Sequence, residues 1–270
     1  MSIIGKDTNI HYGNWVSQKL LSKVILFLLI FACGGLLLFI FPKNPRSFVL
    51  ILRVVSIFLS AFFLTFLIYL IIAKQKFSYT GGKLQEKVIK ELLSTINWNG
   101  NGKALDIGCG SGFLTISLAK KFVSAKIVGL DFWGNNWDYS KKQCDINAKS
   151  LGVSKNIDFI KGSASKLPFN DGTFDLVVSN MTFHKVYDSK EKTTPIFEAL
   201  RVLKKGSVFA FQDLFLLKSY FGTIDELMNK IKSAGVEKIS FINTSQLEFV
   251  PKYLKLPFML GATAILYVIK

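Results

Sequence analysis

Three glycines, Gly108, Gly110 and Gly112, fall within five positions of KALDIGCGSGFLT, directly after a short apolar run. An acid, Asp106, stands two positions before the first of them, and a second acid, Asp131, closes the run KIVGLD. Glycines at a strand-to-helix turn reach left-handed dihedrals and let a ligand approach the backbone closely. A helix that starts there offers unpaired N–H groups to an electron-rich ligand. A carboxylate at the end of the following strand can accept hydrogen bonds from ribose hydroxyls. Together these residues describe a site for a nucleoside-containing cofactor.

The spacing narrows the choice. A dinucleotide loop reads GxGxxG, which would put the third glycine at 113, where the chain has Phe113. Asp106 would repel a pyrophosphate but suits an ammonium or sulfonium. The pattern therefore favours S-adenosylmethionine over NAD. His184, in SNMTFHKV, lies four residues past Asn180, where a substrate pocket should open. It is the candidate general base or substrate contact, a packing or surface histidine being the alternative. Tyr187 and Asp188 are weaker candidates, and Trp133, Trp137 and Tyr139 could wall the pocket. With three cysteines (Cys33, Cys109, Cys144), two histidines and no CxxC, neither a metal site nor a disulfide framework is expected.

Helix and strand patterns alternate around these residues. Strands are expected at 103–107, 126–131, 157–160, 174–180, 207–212, 236–242 and 262–269, and helices at 83–96, 113–122, 139–151, 194–204 and 223–234. Such alternation implies an α/β fold, a mostly parallel Rossmann-like sheet with helices on both faces. In such sheets ligands bind beyond the carboxyl ends of the strands, where the glycine loop falls.

Over residues 83–270, and most specifically over 103–206, the chain resembles the class I S-adenosylmethionine-dependent methyltransferases, near the ubiquinone/menaquinone-type group. ALDIGCGSG looks like their first motif and VGLDF like their second; GSASKLPF, FDLVVSN and ALRVLKKGSVFAF complete the pattern. The resemblance implies a seven-stranded sheet whose last strand is antiparallel. It implies that Asp106, Gly108, Cys109, Gly110 and Gly112 surround the methionine part, that Asp131 holds the ribose, and that Phe132 flanks the adenine. Asn180 should sit near the sulfonium. Ser163 stands where such proteins usually carry an aspartate for the adenine amino group, so Ser163 and the Ala164 backbone must substitute. The stretch after the fourth strand lacks the Pro-Pro-aromatic sequence usual in enzymes that methylate planar amines, which lowers DNA and glutamine as acceptors.

Two runs stand before this module. Val24–Phe41 is eighteen residues and Val54–Ala73 twenty, both without a charge. A bilayer core needs roughly 20 apolar helical residues, so residues 1–77 are expected to hold a two-helix transmembrane hairpin, with spans of about 24–41 and 50–73. Pro42 and Pro45 would make the turn. Arg53 can snorkel to the interface, and Gly34-Gly35 allow close helix contact. Residues 78–270 form the catalytic domain in this reading. Lysines at 19, 23, 74, 76, 83, 87 and 90 flank the outer ends of the hairpin, which favours a multi-pass protein of the cell membrane with both termini and the large domain cytoplasmic. The net charge of +16 suits an anionic leaflet. Nucleic acid is disfavoured, because no basic block alternates with exposed aromatics. The expected partners are the lipid bilayer, through the hairpin, and a small-molecule or lipid acceptor. The alternatives are a soluble or protein acceptor, and a cofactor-binding scaffold without turnover.

Overall fold

The computed structural model describes residues 9–41, 47–134 and 139–270, so Pro42, Pro45 and Trp137 lie outside the described residues. The chain forms two compact units.

One unit is built on Asn14–Lys83. Helix α1 is Gln18–Ile40, capped by Ser17, whose hydroxyl accepts from Leu20 N. Helix α2 is Ser47–Phe77. Both are long and apolar enough to cross a membrane. Their outward side chains are unburied; Phe58 is 71% exposed. The helices meet where a small residue allows it. A Cβ on Gly35 would lie 2.6 Å from the Ser56 hydroxyl, whereas Gly34 faces open space. The Ser56 hydroxyl donates to Phe31 O at 2.6 Å. Phe63 stacks on Phe27 and Phe31. Arg53 is satisfied inside the hairpin: its Nε donates to Leu38 O at 2.8 Å and its guanidinium lies 4.9 Å from the Phe39 ring. Leu38 O is one of the carbonyls that the end of α1 leaves without an intrahelical partner.

The other unit holds residues 9–13, Leu84–Trp133 and Tyr139–Lys270. Its elements are α3 (Leu84–Thr95), β1 (Lys103–Ile107), α4 (Phe113–Lys121), β2 (Lys126–Asp131), α5 (Lys141–Ser150), β3 (Ile157–Lys161), β4 (Phe174–Asn180), α6 (Thr194–Val202), β5 (Leu203–Asp213), α7 (Lys218–Phe221), α8 (Ile224–Lys232), β6 (Lys238–Asn243) and β7 (Ala264–Ile269). The seven strands lie in the order β3-β2-β1-β4-β5-β7-β6. Only β7 runs against its neighbours, as expected of the closing strand. The central strands are covered on both faces: Leu105, Val177 and Phe209 are buried on one face, and Ala104, Leu176, Val178 and Ala210 on the other. Strand order reverses at β1, which lies between β2 and β4, and that opens a cleft at the carboxyl ends of these strands.

The largest boundary difference from the sequence expectation is at β5. Helix α6 stops at Val202, and β5 begins at Leu203 rather than near Ser207. Leu203 turns extended, and the Lys270 ammonium takes the carbonyls of Leu200 and Leu203, each at 2.7 Å.

Arg201 on α6 fixes the segment between β3 and β4. Its guanidinium donates to Leu167 O, Phe169 O, Asp171 and Glu198 at 2.7–3.0 Å, and Glu198 accepts Leu167 N at 2.8 Å. Arg201→Ala leaves those carbonyls without their donor and should cost about 1–3 kcal/mol. Thermal unfolding in detergent reads this as a lowered Tm; an unchanged Tm would mean that the segment supports itself.

Candidate active site

The glycine loop lies flat across the ends of β1 and β2. Leu130 O accepts both Gly108 N (2.7 Å) and Cys109 N (3.1 Å). This requires positive φ at Gly108, Gly110 and Gly112 (76°, 58° and 82°). At Gly108 the constraint is also steric: a Cβ would sit 2.1 Å from Thr182 Oγ1. Gly112 precedes α4 without a side-chain cap, and in the first turn of α4 the Thr115 N–H and hydroxyl both serve Asp106.

Two acids flank the loop. Asp106 is buried, with Thr115 Oγ1 donating to it at 2.6 Å. Burial pushes its carboxyl up to about 7, the Thr115 hydroxyl opposing and Asp131 adding to the rise. Asp131 accepts Gly110 N at 2.8 Å and Trp133 N at 2.7 Å. Burial raises its carboxyl too, against the pull of those two amides. The Trp133 indole N–H and the Cys144 thiol both donate to Gly110 O, at 2.8 and 3.2 Å. Burial, together with Cys144, pushes the Cys109 thiol well above its usual range, which keeps it protonated and unreactive. Trp133 and Met181 hold left-handed φ of 43° and 55°, at the carboxyl ends of β2 and β4. Such strain in non-glycine residues concentrates at functional sites.

The loop is also clamped from the chain's start. The side-chain amide of Asn147 on α5 donates to His11 O and Ser111 O, at 2.8 and 2.9 Å, and its oxygen accepts His11 N at 3.0 Å. The Tyr12 ring stacks on Phe113, with centroids 4.1 Å apart. Tyr139 lies between Gly13 and Gly110, so close to Gly13 that a Cβ there would overlap its ring. None of these contacts has a sequence signal, because residues 9–13 precede the two apolar helices.

The remaining candidates are placed as follows. Phe132 is 64% exposed, with the Lys161 ammonium 5.8 Å from its ring. Ala164 is buried against the core. The Ser163 hydroxyl donates to Asp188 at 2.5 Å, and Ser165 donates to the same oxygen at 2.8 Å. Despite the cost of burial, these hydroxyls hold the Asp188 carboxyl below its usual range. Asn180 ends β4, and its side-chain oxygen is buried without a partner, as is the Ser111 hydroxyl.

His184 sits on a short turn after β4, with Nδ1 2.5 Å from Asp213 Oδ1. Asp213, at the end of β5, is buried and accepts the N–H groups of Thr182, Phe183 and Leu214 at 2.7–3.0 Å. Burial opposes its charge, but His184 and those amides keep its carboxyl below the usual range. The Tyr220 ring stacks on His184 at 6.1 Å. Beyond Tyr220 opens a cavity of about 690 Å³, bordered by Lys190, Thr193, Ser219 and Lys230. Burial lowers the neighbouring Lys185 ammonium to about 8, against the attraction of Asp213 and Asp131. Asp213 and Lys185 escaped the sequence reading. Asp213 closes FAFQD at a strand's carboxyl end, where the rule for open sheets points. Among the described residues no cluster of His, Cys, Asp and Glu could hold a metal ion.

The methyltransferase-domain family profile matches residues 99–251, more than half of the chain. This chain belongs to the S-adenosylmethionine-dependent methyltransferases. A demethylmenaquinone methyltransferase of Geobacillus stearothermophilus is 30% identical over 172 residues, covering 59% of this chain and 69% of that one. Its counterpart in Bacillus licheniformis is 30% identical over 179 residues, covering 62% and 72%. The sheet also matches the solved structure of a protein assigned as a sarcosine dimethylglycine methyltransferase from Galdieria sulphuraria. That match has a TM-score of 0.50 and 19% identity and covers 69% of this chain and 85% of the other, a likeness of fold alone.

The methyltransferase cleft fits S-adenosylmethionine on its own chemistry. It offers an uncapped helix start, two orphaned polar atoms at Asn180 and Ser111, and acids at 106 and 131 for a ligand carrying positive charge. A cation bound beside Asp106 favours its carboxylate, whereas the free protein holds the proton up to about pH 7. Binding below that pH must therefore expel a proton, and affinity should rise with pH between about 5 and 8. Calorimetry at pH 6.5 in buffers of different ionisation enthalpy should show proton release, lost in Asp106→Asn. Buffer-independent heats would remove Asp106 from the linkage.

Proposed function

We propose that this methyltransferase is anchored in the membrane and methylates a lipophilic small molecule of the quinone type. The observation that carries the reading is the pair α1 and α2, with outward Phe, Leu and Ile exposed, in a chain whose relatives are named for demethylmenaquinone. The basic flanks of these helices support a cytoplasmic catalytic unit and cytoplasmic termini.

In this reading the loop Gly108–Gly112, with the Cys109 backbone, holds the methionine part of the cofactor, and Asp106 favours its charge. Asp131 takes the ribose hydroxyls, with acceptor capacity beyond the N–H groups of Gly110, Trp133 and Phe132. Ser163 stands in the adenine position with Asp188 behind it, so a carboxylate reaches that place from the loop after β4. The Ala164 backbone and the exposed Phe132 ring complete the adenine slot. Asn180, whose side-chain oxygen is buried without a partner, is assigned to the reacting end. When bound, S-adenosylmethionine supplies an electrophilic methyl group; the protein's task is alignment and proton removal.

Proton removal falls to His184. Asp213 Oδ1 can only accept in its ionised state, so Nδ1 of His184 carries the hydrogen and Nε2 is left as the base. Asp213 then stabilises the imidazolium that forms when an acceptor hydroxyl or ring carbon yields its proton. His184→Ala should lower kcat about 100-fold with cofactor affinity unchanged. Asp213→Asn should lower kcat and displace the pH–rate profile. Full activity of His184→Ala would remove that residue from the mechanism.

The acceptor class is tested with full-length protein in nanodiscs, methyl-labelled S-adenosylmethionine and a host membrane extract, with Asp131→Ala as control. Label should partition into organic solvent and be absent from the control. Label in protein or in water-soluble product would overturn the lipophilic acceptor.

A further inference from the structure

Apolar side chains left exposed by a well-packed unit need an explanation, and several of them gather on one edge of the sheet. Asp213 and Asn243 both pair with Ala264, so the stretch 244–263 starts and ends beside the carboxyl end of β5. Residues 214–221 leave from the same end, and Leu216 N donates to Ala262 O at 3.0 Å. Tyr220, Tyr253 and Leu256 are each more than a third exposed, and Phe258 is 61% exposed.

These tips are held out by construction. Val250, Leu254 and Leu260 are buried and anchor the stretch. Leu254 N donates to Pro251 O, Leu260 N to Leu254 O and Gly261 N to Leu256 O, at 2.9–3.1 Å. The fold at its end closes so tightly that a Cβ on Gly261 would lie 2.0 Å from Lys255 O. A loop with this many internal bonds has little freedom to tuck Phe258 inward. The charged side chains within 214–221 and 249–261 are Lys218, Lys252 and Lys255; of the two acids that border the segments, Asp213 is buried and Glu248 exposed.

We propose that segments 214–221 and 249–261 form a docking face for an anionic lipid bilayer, with Tyr253, Leu256 and Phe258 entering the headgroup region and the lysines pairing with lipid phosphates. Aromatic rings and snorkelling lysines are the side chains that this interface favours, and each lysine adds attraction to an anionic surface. Aromatic and apolar tips interleaved with Lys252 and Lys255 favour a lipid surface over a protein partner. The face deepens the reading of a lipophilic acceptor: Tyr220 belongs to it and stacks on His184, so the base would sit one ring away from the lipid.

The test uses the full-length protein with its exposed thiol removed (Cys33→Ser); Cys109 and Cys144 are buried. Spin labels are placed singly at Phe258→Cys, Tyr253→Cys, Phe62→Cys on α2 and Val123→Cys. Val123, 71% exposed, lies between α4 and β2 at the opposite, amino edge of the sheet. In phosphatidylglycerol–phosphatidylcholine nanodiscs, labels at 253 and 258 should be more accessible to oxygen than to a water-soluble nickel reagent, with the order reversed at 123. Lys252→Glu with Lys255→Glu should return residue 258 to the order seen at 123. If residue 62 lies in lipid while 258 behaves like 123, the docking face is wrong and the anchor stands. If 253 and 258 are shielded from both reagents in a concentration-dependent way, the occupant is a second copy of this chain and the bilayer proposal falls. The partition of methyl label is read separately, so failure of the acceptor reading does not alter the depth of residue 258.

Discussion

The site depends on one close approach, that of the Gly108 backbone to the turn after β4. Thr182 Oγ1 donates to Gly108 O at 3.3 Å, and Thr182 N donates to Asp213 at 3.0 Å. Any side chain at 108 would occupy the place of the threonine hydroxyl. The glycine loop and the His184–Asp213 pair are therefore two ends of one hydrogen-bonded path that runs through Thr182. The turn that brings Thr182 there puts Met181 at φ 55°, a conformation that costs about 1 kcal/mol or more outside glycine. Met181 N is compensated by Gln212 O at 2.7 Å, so the sheet itself holds the strained residue.

Charge is arranged with the same economy. Asp106, Asp131 and Asp213 all lie near this path, yet they differ in state because their partners differ. Asp213 has three amides and an imidazole and stays ionised in spite of burial. Asp106 has only the hydroxyl and N–H of Thr115 against full burial and is driven up to about 7. A carboxyl poised there responds to a positively charged ligand by ionising, whereas Asp213 is committed before any ligand arrives. The first acid suits recognition of a cation, and the second suits orienting a base.

How much of this was legible follows from sequence separation. The glycine loop, Asp131 and the antiparallel closing strand are local patterns, and each stands where its spacing puts it. The partners of those residues are not local. Asp213 meets His184 across 29 positions, Asp188 meets Ser163 across 25, and His11 meets Asn147 across 136. The serine at 163 looked like a missing carboxylate, because a reading by motif position has no way to see one delivered from another strand's loop. Arg53, near the start of α2, reaches back to Leu38 O at the turn end of α1, a partner 15 positions away that its own side-chain type does not reveal. The early start of β5 depends on the ammonium of the last residue, Lys270.

The path of the chain bears on what the two apolar helices are to the enzyme. Residues 9–13 belong to the catalytic unit, Asn14–Lys83 to the other, and Leu84 onward to the catalytic unit again. The hairpin is thus inserted between two segments of one folded unit, not appended before it. Removing everything N-terminal to Tyr79 would take away Tyr12 from Phe113 and both main-chain partners that His11 gives to Asn147. Asn147 also holds Ser111 O, so the glycine loop itself would loosen. Loss of activity in such a truncated chain would say nothing about lipid delivery. Replacing only Asn14–Lys83 with a flexible soluble linker keeps residues 9–13 and removes the two apolar helices. Retained cofactor affinity in that chimera, with lost turnover on a bilayer-borne acceptor, would separate the two roles.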